Sequence, residues 1–246
     1  FARLARHDLV AGITVMPSPS DGYRLRARLH VQDGVVGFLR EGTHEVCPAG
    51  PTRQLLPATV DWLGRLQSVL RSHPDVPVTS VEVSENLDAS ERACHLELAA
   101  GADERACAVC VDAALTGLSA QSAHHRRALQ IAGVPTVSDV WPAGESGRSL
   151  RLQRHVRAFF QGNRFLLPTF VEHVCASVDT TDVVDLYAGV GLFGLWLAAR
   201  GASVTLVEGD PVSASDLAVN AGAVSETVQT RPESVEHYLQ IGRAHV

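Results

Sequence analysis

Lysine is absent from this 246-residue chain; all 21 of its basic residues are arginine, a pattern that reads as the codon bias of a GC-rich genome. Long apolar runs are absent too, and none approaches the roughly 20 residues of a membrane-spanning helix, so no membrane association is expected. Cysteine is scarce: five residues, an odd number and thinly spread, argue against a disulfide scaffold and for a reducing, cytoplasmic setting. No internal repeat or low-complexity tract stands out. What remains is ordinary globular composition, 46% apolar and 20% charged, with length for one large domain or two of common size.

Charge is unevenly placed. From Phe165 onward three arginines face ten acids, whereas the first 164 residues are nearly balanced around a chain total of −6. Acids are missing altogether from the track holding Arg148, Arg151, Arg154, Arg157 and Arg164. Such a track suits a phosphate backbone, and its plainer reading is a solvated strand face. Arg24, Arg26 and Arg28 alternate and so share one face of a strand, which also suits phosphate.

Apolar alternation over residues 22–46, broken by Asp33-Gly34, predicts a hairpin. Helical spacing follows over 53–72, then three strand candidates, VTSVEV, ACHLELA and ACAVCVDA. LSAQSAHHRRALQIAG is ambiguous, although His124, His125, Arg126 and Arg127 read as an exposed helix face, and WPAGESG reads as a break. After about residue 158 the rhythm changes to helix (163–177), strand (VVDLYA), helix (LFGLWLAARG), strand (SVTLVEG) and helix (PVSASDLAVNAGA). Strand and helix alternating at this spacing predict a doubly wound parallel sheet.

Gly189, Gly191 and Gly194 in VVDLYAGVGLFG spell G-x-G-x-x-G just past the first of those strands. Missing side chains there let a ligand approach the backbone, and Glu208 at the next strand end suits the two hydroxyls of a ribose. NAD and S-adenosylmethionine both carry adenosine, so the motif alone fits either. Asp185 in the preceding strand would repel a pyrophosphate and favour the sulfonium and ammonium of S-adenosylmethionine, unless it merely orients the loop.

Three stretches in order, GYRLRARL (22–29), FFQGNRF (159–165) and VVDLYAGVGLFGLWLA with LVEGD, resemble the RNA uracil-5-methyltransferase family. The resemblance implies S-adenosylmethionine as methyl donor and a uridine of ribosomal RNA or tRNA as target. Position by position, it makes Gln161, Tyr187 and Glu208 cofactor-contacting residues alongside Gly189 and Gly191. Ala188 and Leu192 depart from the cysteine and asparagine common at those positions. The family attacks carbon 6 of uracil with a cysteine and removes the carbon 5 proton with a base, both beyond the second helix of the cofactor domain; neither is expected in this sequence. Cys47 matches one ligand of an iron–sulfur cluster found in some members, but its three partners are absent. Cys107 and Cys110, in C-A-V-C, lack a second pair at zinc spacing and read as core residues, so no metal is expected.

The expected architecture is therefore α/β: an incomplete doubly wound, Rossmann-like methyltransferase sheet over residues 158–240, preceded by an α+β RNA-handling domain over 1–157. IGRAHV at 241–246 can be encoded by a common sequencing-adapter read, and the chain opens at Phe1, so a truncated fragment with a non-native tail is expected. A monomer acting on RNA is expected; the alternatives are an NAD-dependent oxidoreductase and a non-catalytic RNA-binding module.

Overall fold

Asp33 and Gly34 both take left-handed backbone angles (φ 51° and 70°), the geometry of a tight hairpin turn, and they join β1 (Arg26–Gln32) to β2 (Val35–Leu39). The computed structural model describes residues 15–125, 127–143, 148–224 and 227–243. After β3 (Val46–Pro48) comes α1 (Pro57–Ser72), then β4 (Val78–Glu85), β5 (Arg92–Leu98), a 3-10 helix (Glu104–Cys110), β6 (Gly117–Ser122) and β7 (Leu129–Gly133). These strands form one seven-stranded sheet in the order β3-β2-β1-β4-β5-β6-β7, antiparallel except for the β5–β6 pair.

Proline in the first turn of α1 starts the helix where its missing N–H does no harm, and Trp62, Leu63, Leu66 and Leu70 place one apolar stripe on the sheet. Period-two alternation on β5 sends Cys94, Leu96 and Leu98 into that core and Ala93 and His95 to the other face. The ACAVCVDA segment is not a strand. Asp103 caps it by accepting from the Arg105 N–H (3.0 Å), and Glu104, Cys107 and Cys110 turn inward at a spacing of three, the 3-10 period. Cys107 and Cys110 are core residues as expected, on a different element. His124, His125 and Arg127 lie in the β6–β7 connection rather than on a helix; Arg126 lies outside the described residues.

A second hairpin, β8 (Thr136–Ala143) with β9 (Arg148–His155), covers the WPAGESG segment, of which 144–147 lie outside the described residues. Then follow α2 (Leu167–Ala176), β10 (Asp182–Leu186), α3 (Leu192–Ala198), β11 (Ser203–Val207), α4 (Pro211–Gly222), β12 (Val228–Arg231) and α5 (Val235–Arg243). Strands β10, β11 and β12 are parallel neighbours in that order, the doubly wound beginning that the alternation predicts. α2 starts four residues later than the spacing suggests, because Asn163 Oδ1 accepts from the N–H groups of Phe165 and Leu166 and holds a turn there. One hydrophobic cluster joins Leu25, Trp141, Leu152 and Phe160 to Leu195, Leu206 and Leu217, so the hairpin and the parallel sheet share a core. Of the expected tail, 244–246 lie outside the described residues.

His95 is fully buried, and its Nδ1 lies 2.9 Å from Ser119 Oγ. Burial, then the charges of Arg157, His155 and Arg28, push its pKa down to about 3. The unfolded chain takes up that proton near pH 6.5 and the folded chain does not, so stability present above pH 6.5 is lost as pH falls. Unfolding in urea should show a loss of about 1.4 kcal/mol per pH unit from this group between roughly pH 6 and 4. His95→Asn should flatten that slope; an unchanged slope would place the proton uptake elsewhere.

Candidate cofactor site

The glycine loop is stitched to the end of the neighbouring strand. Ala188 N donates to Val207 O (3.0 Å), and Gly189 N donates to Glu208 Oε2 (2.7 Å). The other carboxylate oxygen of Glu208 accepts from Asp210 N (2.7 Å). Glu208 is thus fixed at the carboxyl end of β11, where ligands of open α/β sheets bind. Each of its oxygens keeps a further lone pair for a ligand hydroxyl. Space is open beside Gly189, where an added Cβ would meet nothing within 4 Å.

Asp185 serves the loop itself: its Oδ2 accepts from Gly194 N (3.0 Å). Burial, with Glu208's charge adding to it, raises its pKa. Gly194 lets α3 pack closely on the sheet, since a Cβ there would lie 2.2 Å from Leu206 Cδ2 and 3.0 Å from Asp185 Oδ2. Gly194→Ala should therefore destabilise the fold by about 1–3 kcal/mol through overpacking. A thermal melt unchanged from wild type would show that α3 can shift freely.

Tyr187 is strained into φ 61° and 68% exposed, with its hydroxyl 3.0 Å from Glu236 Oε1 on α5. Gln161 makes no hydrogen bond to the loop among the described residues. It lines a cavity of about 290 Å³ with Met16, Asn163, Leu166, Phe170 and His173. Phe170 meets Phe193, in the first turn of α3, edge-on at 5.5 Å, which is how this cavity abuts the loop's helix. The structure therefore brings Gly189 and Glu208 into direct contact, places Gly191 and Tyr187 in the same loop, and sets Gln161 in a neighbouring cavity.

The arginine track does not lie on one face: two of its members point inward. Arg154 is fully buried, ion-paired to Asp139, hydrogen-bonded to Glu85 O and stacked on Phe160 with 4.0 Å to the ring centroid. Arg164 is buried as well, its Nη2 2.6 Å from Glu85 Oε2 and its Nη1 3.1 Å from Leu87 O. Only Arg151 of the track's side chains is plainly exposed among those described. Arg154 and Arg164 are internal braces, so both readings of the track, phosphate contact and solvated face, are corrected for these two residues. Arg26 and Arg28 are paired to Glu82 (2.8 Å) and Glu97 (2.6 Å), and Arg24 lies before β1 in an isolated bridge with Asn163.

No protein-family model matches the chain. A segment of 54 residues is 44% identical to the 23S rRNA (uracil(747)-C(5))-methyltransferase of Pyrococcus abyssi, covering 22% of this chain and 13% of that protein. Another of 85 residues is 34% identical to the Pyrococcus horikoshii protein of the same name, covering 33% and 21%. A third, of 50 residues, is 40% identical to the tRNA (uracil(54)-C(5))-methyltransferase of Pyrococcus abyssi, covering 20% and 12%. The chain is a homologue of RNA uracil-C5-methyltransferases. The crystal structure of the Pyrococcus abyssi tRNA (uracil-54, C5)-methyltransferase, in complex with S-adenosyl-L-homocysteine, has the same fold. It matches with a TM-score of 0.69 and 16% identity, over 87% of this chain and 56% of that one.

For a methyltransferase homologue, the residues that sequence reasoning missed are those joining the loop to the rest. Asp216 and Asn220, both buried on α4, hold the backbone of β9. The available signal was two polar residues four apart beside Leu217 and Ala221 on an inward stripe.

Proposed function

We propose that this chain is part of an enzyme that transfers a methyl group from S-adenosylmethionine to carbon 5 of a uridine in ribosomal RNA or tRNA. The observation carrying the reading is the Glu208 carboxylate clamped to Gly189 N at 2.7 Å, beside open space at the carboxyl end of a parallel sheet. Those residues fit an adenosine cofactor: Glu208 would take the ribose hydroxyls, Gly189 and Gly191 would give the backbone room, and exposed Tyr187 would offer a flat face. Gln161, with no hydrogen bond of its own among the described residues, would complete the site from the adjoining cavity. Asp185 in the strand before the loop makes it unfavourable for a pyrophosphate, which supports S-adenosylmethionine over NAD. The bound cofactor supplies an electrophilic methyl group.

In this reading residues 158–240 hold the cofactor, residues 1–157 handle RNA, and the protein works as a cytoplasmic monomer without a metal. None of the five cysteines suits the nucleophile's part. Burial pushes Cys107 up to about 12 and Cys110 and Cys175 up to about 11, burial in the first core likewise raises Cys94, and Cys47 lies on β3, in the first sheet. The thiolate is therefore proposed to come from residues other than these. Titrating the chain with S-adenosylhomocysteine and with NADH tests the cofactor assignment. Saturable binding of the first alone is expected; binding of NADH alone would replace the reading with an oxidoreductase.

A further inference from the structure

Asn220 spends every hydrogen-bonding atom of its side chain on two backbones that are far apart in sequence. Its Oδ1 accepts from Gln153 N (2.9 Å), and its Nδ2 donates to Gln153 O (2.8 Å) and to Val190 O (2.9 Å). The first two bonds imitate a neighbouring strand and satisfy β9. The third reaches the glycine loop. Val190 stands between Gly189 and Gly191, whose φ values are 58° and 95°. A peptide followed by glycine turns over at little steric penalty on the glycine side, so its orientation is set by its hydrogen-bond partners. Here the Val190–Gly191 peptide is held at both ends: its C=O by Asn220, and its N–H by Ala188 O at 2.9 Å. Gly191 is also the residue that caps α3, so this peptide sets where the helix begins.

We propose that Asn220 is a positioning residue for the cofactor loop, fixing the Val190–Gly191 peptide in the orientation that admits S-adenosylmethionine. The inference rests on the proposed cofactor reading. Nearby Asp216 provides the internal comparison. It accepts from His155 N (2.6 Å), so it too fastens α4 to β9, yet no bond joins it to the loop among the described residues. A role in docking alone makes the two residues equivalent. A role in positioning separates them.

The test is calorimetric titration of S-adenosylhomocysteine into the wild-type chain, Asn220→Asp and Asp216→Ala, with urea unfolding of each. Asn220→Asp keeps the shape and the acceptor but loses both donors. It should bind at least about tenfold more weakly, a loss of roughly one hydrogen bond to a buried carbonyl, while Asp216→Ala binds within about twofold of wild type at comparable loss of stability. Equal weakening in both variants, or none in Asn220→Asp, overturns the proposal while leaving the cofactor reading intact. No binding by the wild-type chain overturns both. Should Asn220→Asp not fold, Asn220→Ser is read by the same criterion. On the unaltered protein, the side-chain amide protons of Asn220 should shift on adding S-adenosylhomocysteine; their indifference to it would also count against the proposal.

Discussion

Glu208→Ala is expected to weaken S-adenosylhomocysteine binding about 10- to 100-fold. The substitution removes the acceptor for Gly189 N and Asp210 N, each bonded at 2.7 Å, and with it the proposed acceptor of the ribose hydroxyls. Losing the hydrogen bonds made by a buried carboxylate is worth about 1–3 kcal/mol, which is the range quoted as a fold-change. Glu208→Gln keeps one carbonyl oxygen but turns an amide N–H₂ toward a backbone donor, so it should fall between wild type and alanine. Calorimetric titration checks the prediction. Unchanged affinity in Glu208→Ala would remove this residue from the site.

The largest loss of stability should follow from Glu85→Ala. Glu85 is buried between two guanidinium groups, with Oε1 2.6 Å from Arg92 Nη2 and Oε2 2.6 Å from Arg164 Nη2. Thr59 Oγ1 closes the cluster against Arg92 Nη2 at 3.0 Å. Truncation strands two buried cations, and breaking a buried pair in this way costs about 3–5 kcal/mol. That is a large share of the roughly 5–15 kcal/mol that holds a typical domain together. Arg164 directly follows Gly162-Asn163, and Leu25 N is tied to Gly162 O at 3.0 Å, so the segment presenting Gln161 should loosen as well. Urea unfolding of Glu85→Ala checks the magnitude. A loss under about 1 kcal/mol would mean that the cluster is hydrated and behaves as a surface pair.

Local rules made some of this structure legible from sequence. Asp33-Gly34 can do little but turn a hairpin. Proline at the start of α1 and α4, and glycines spaced for a strand-to-helix loop, carry their geometry in their own covalent structure. Part of the proposed site's geometry was legible to the same extent: Glu208 and Gly189 meet because one strand end faces the next. What failed depended on partners distant in the chain. The arginine track looked open because neither Asp139, 15 positions from Arg154, nor Glu85, 79 from Arg164, is visible in its spacing. ACAVCVDA carried strand-forming residues, yet the Asp103 cap and the inward set at every third position overrode propensity. Asn220 was invisible for a like reason: its bonds go to backbone, and backbone bonds leave no residue type to recognise.

The proposed activity is methyl transfer to carbon 5 of uridine in RNA. Its most direct test gives the uninterrupted reading frame containing this chain labelled S-adenosylmethionine and undermethylated tRNA and ribosomal RNA, then digests the RNA and identifies the nucleosides by mass spectrometry. Label is expected in 5-methyluridine from one of the two RNAs, and is expected to fall in the Glu208→Ala variant at limiting S-adenosylmethionine. Label in another nucleoside, or none from a protein that binds S-adenosylhomocysteine and folds, would contradict it.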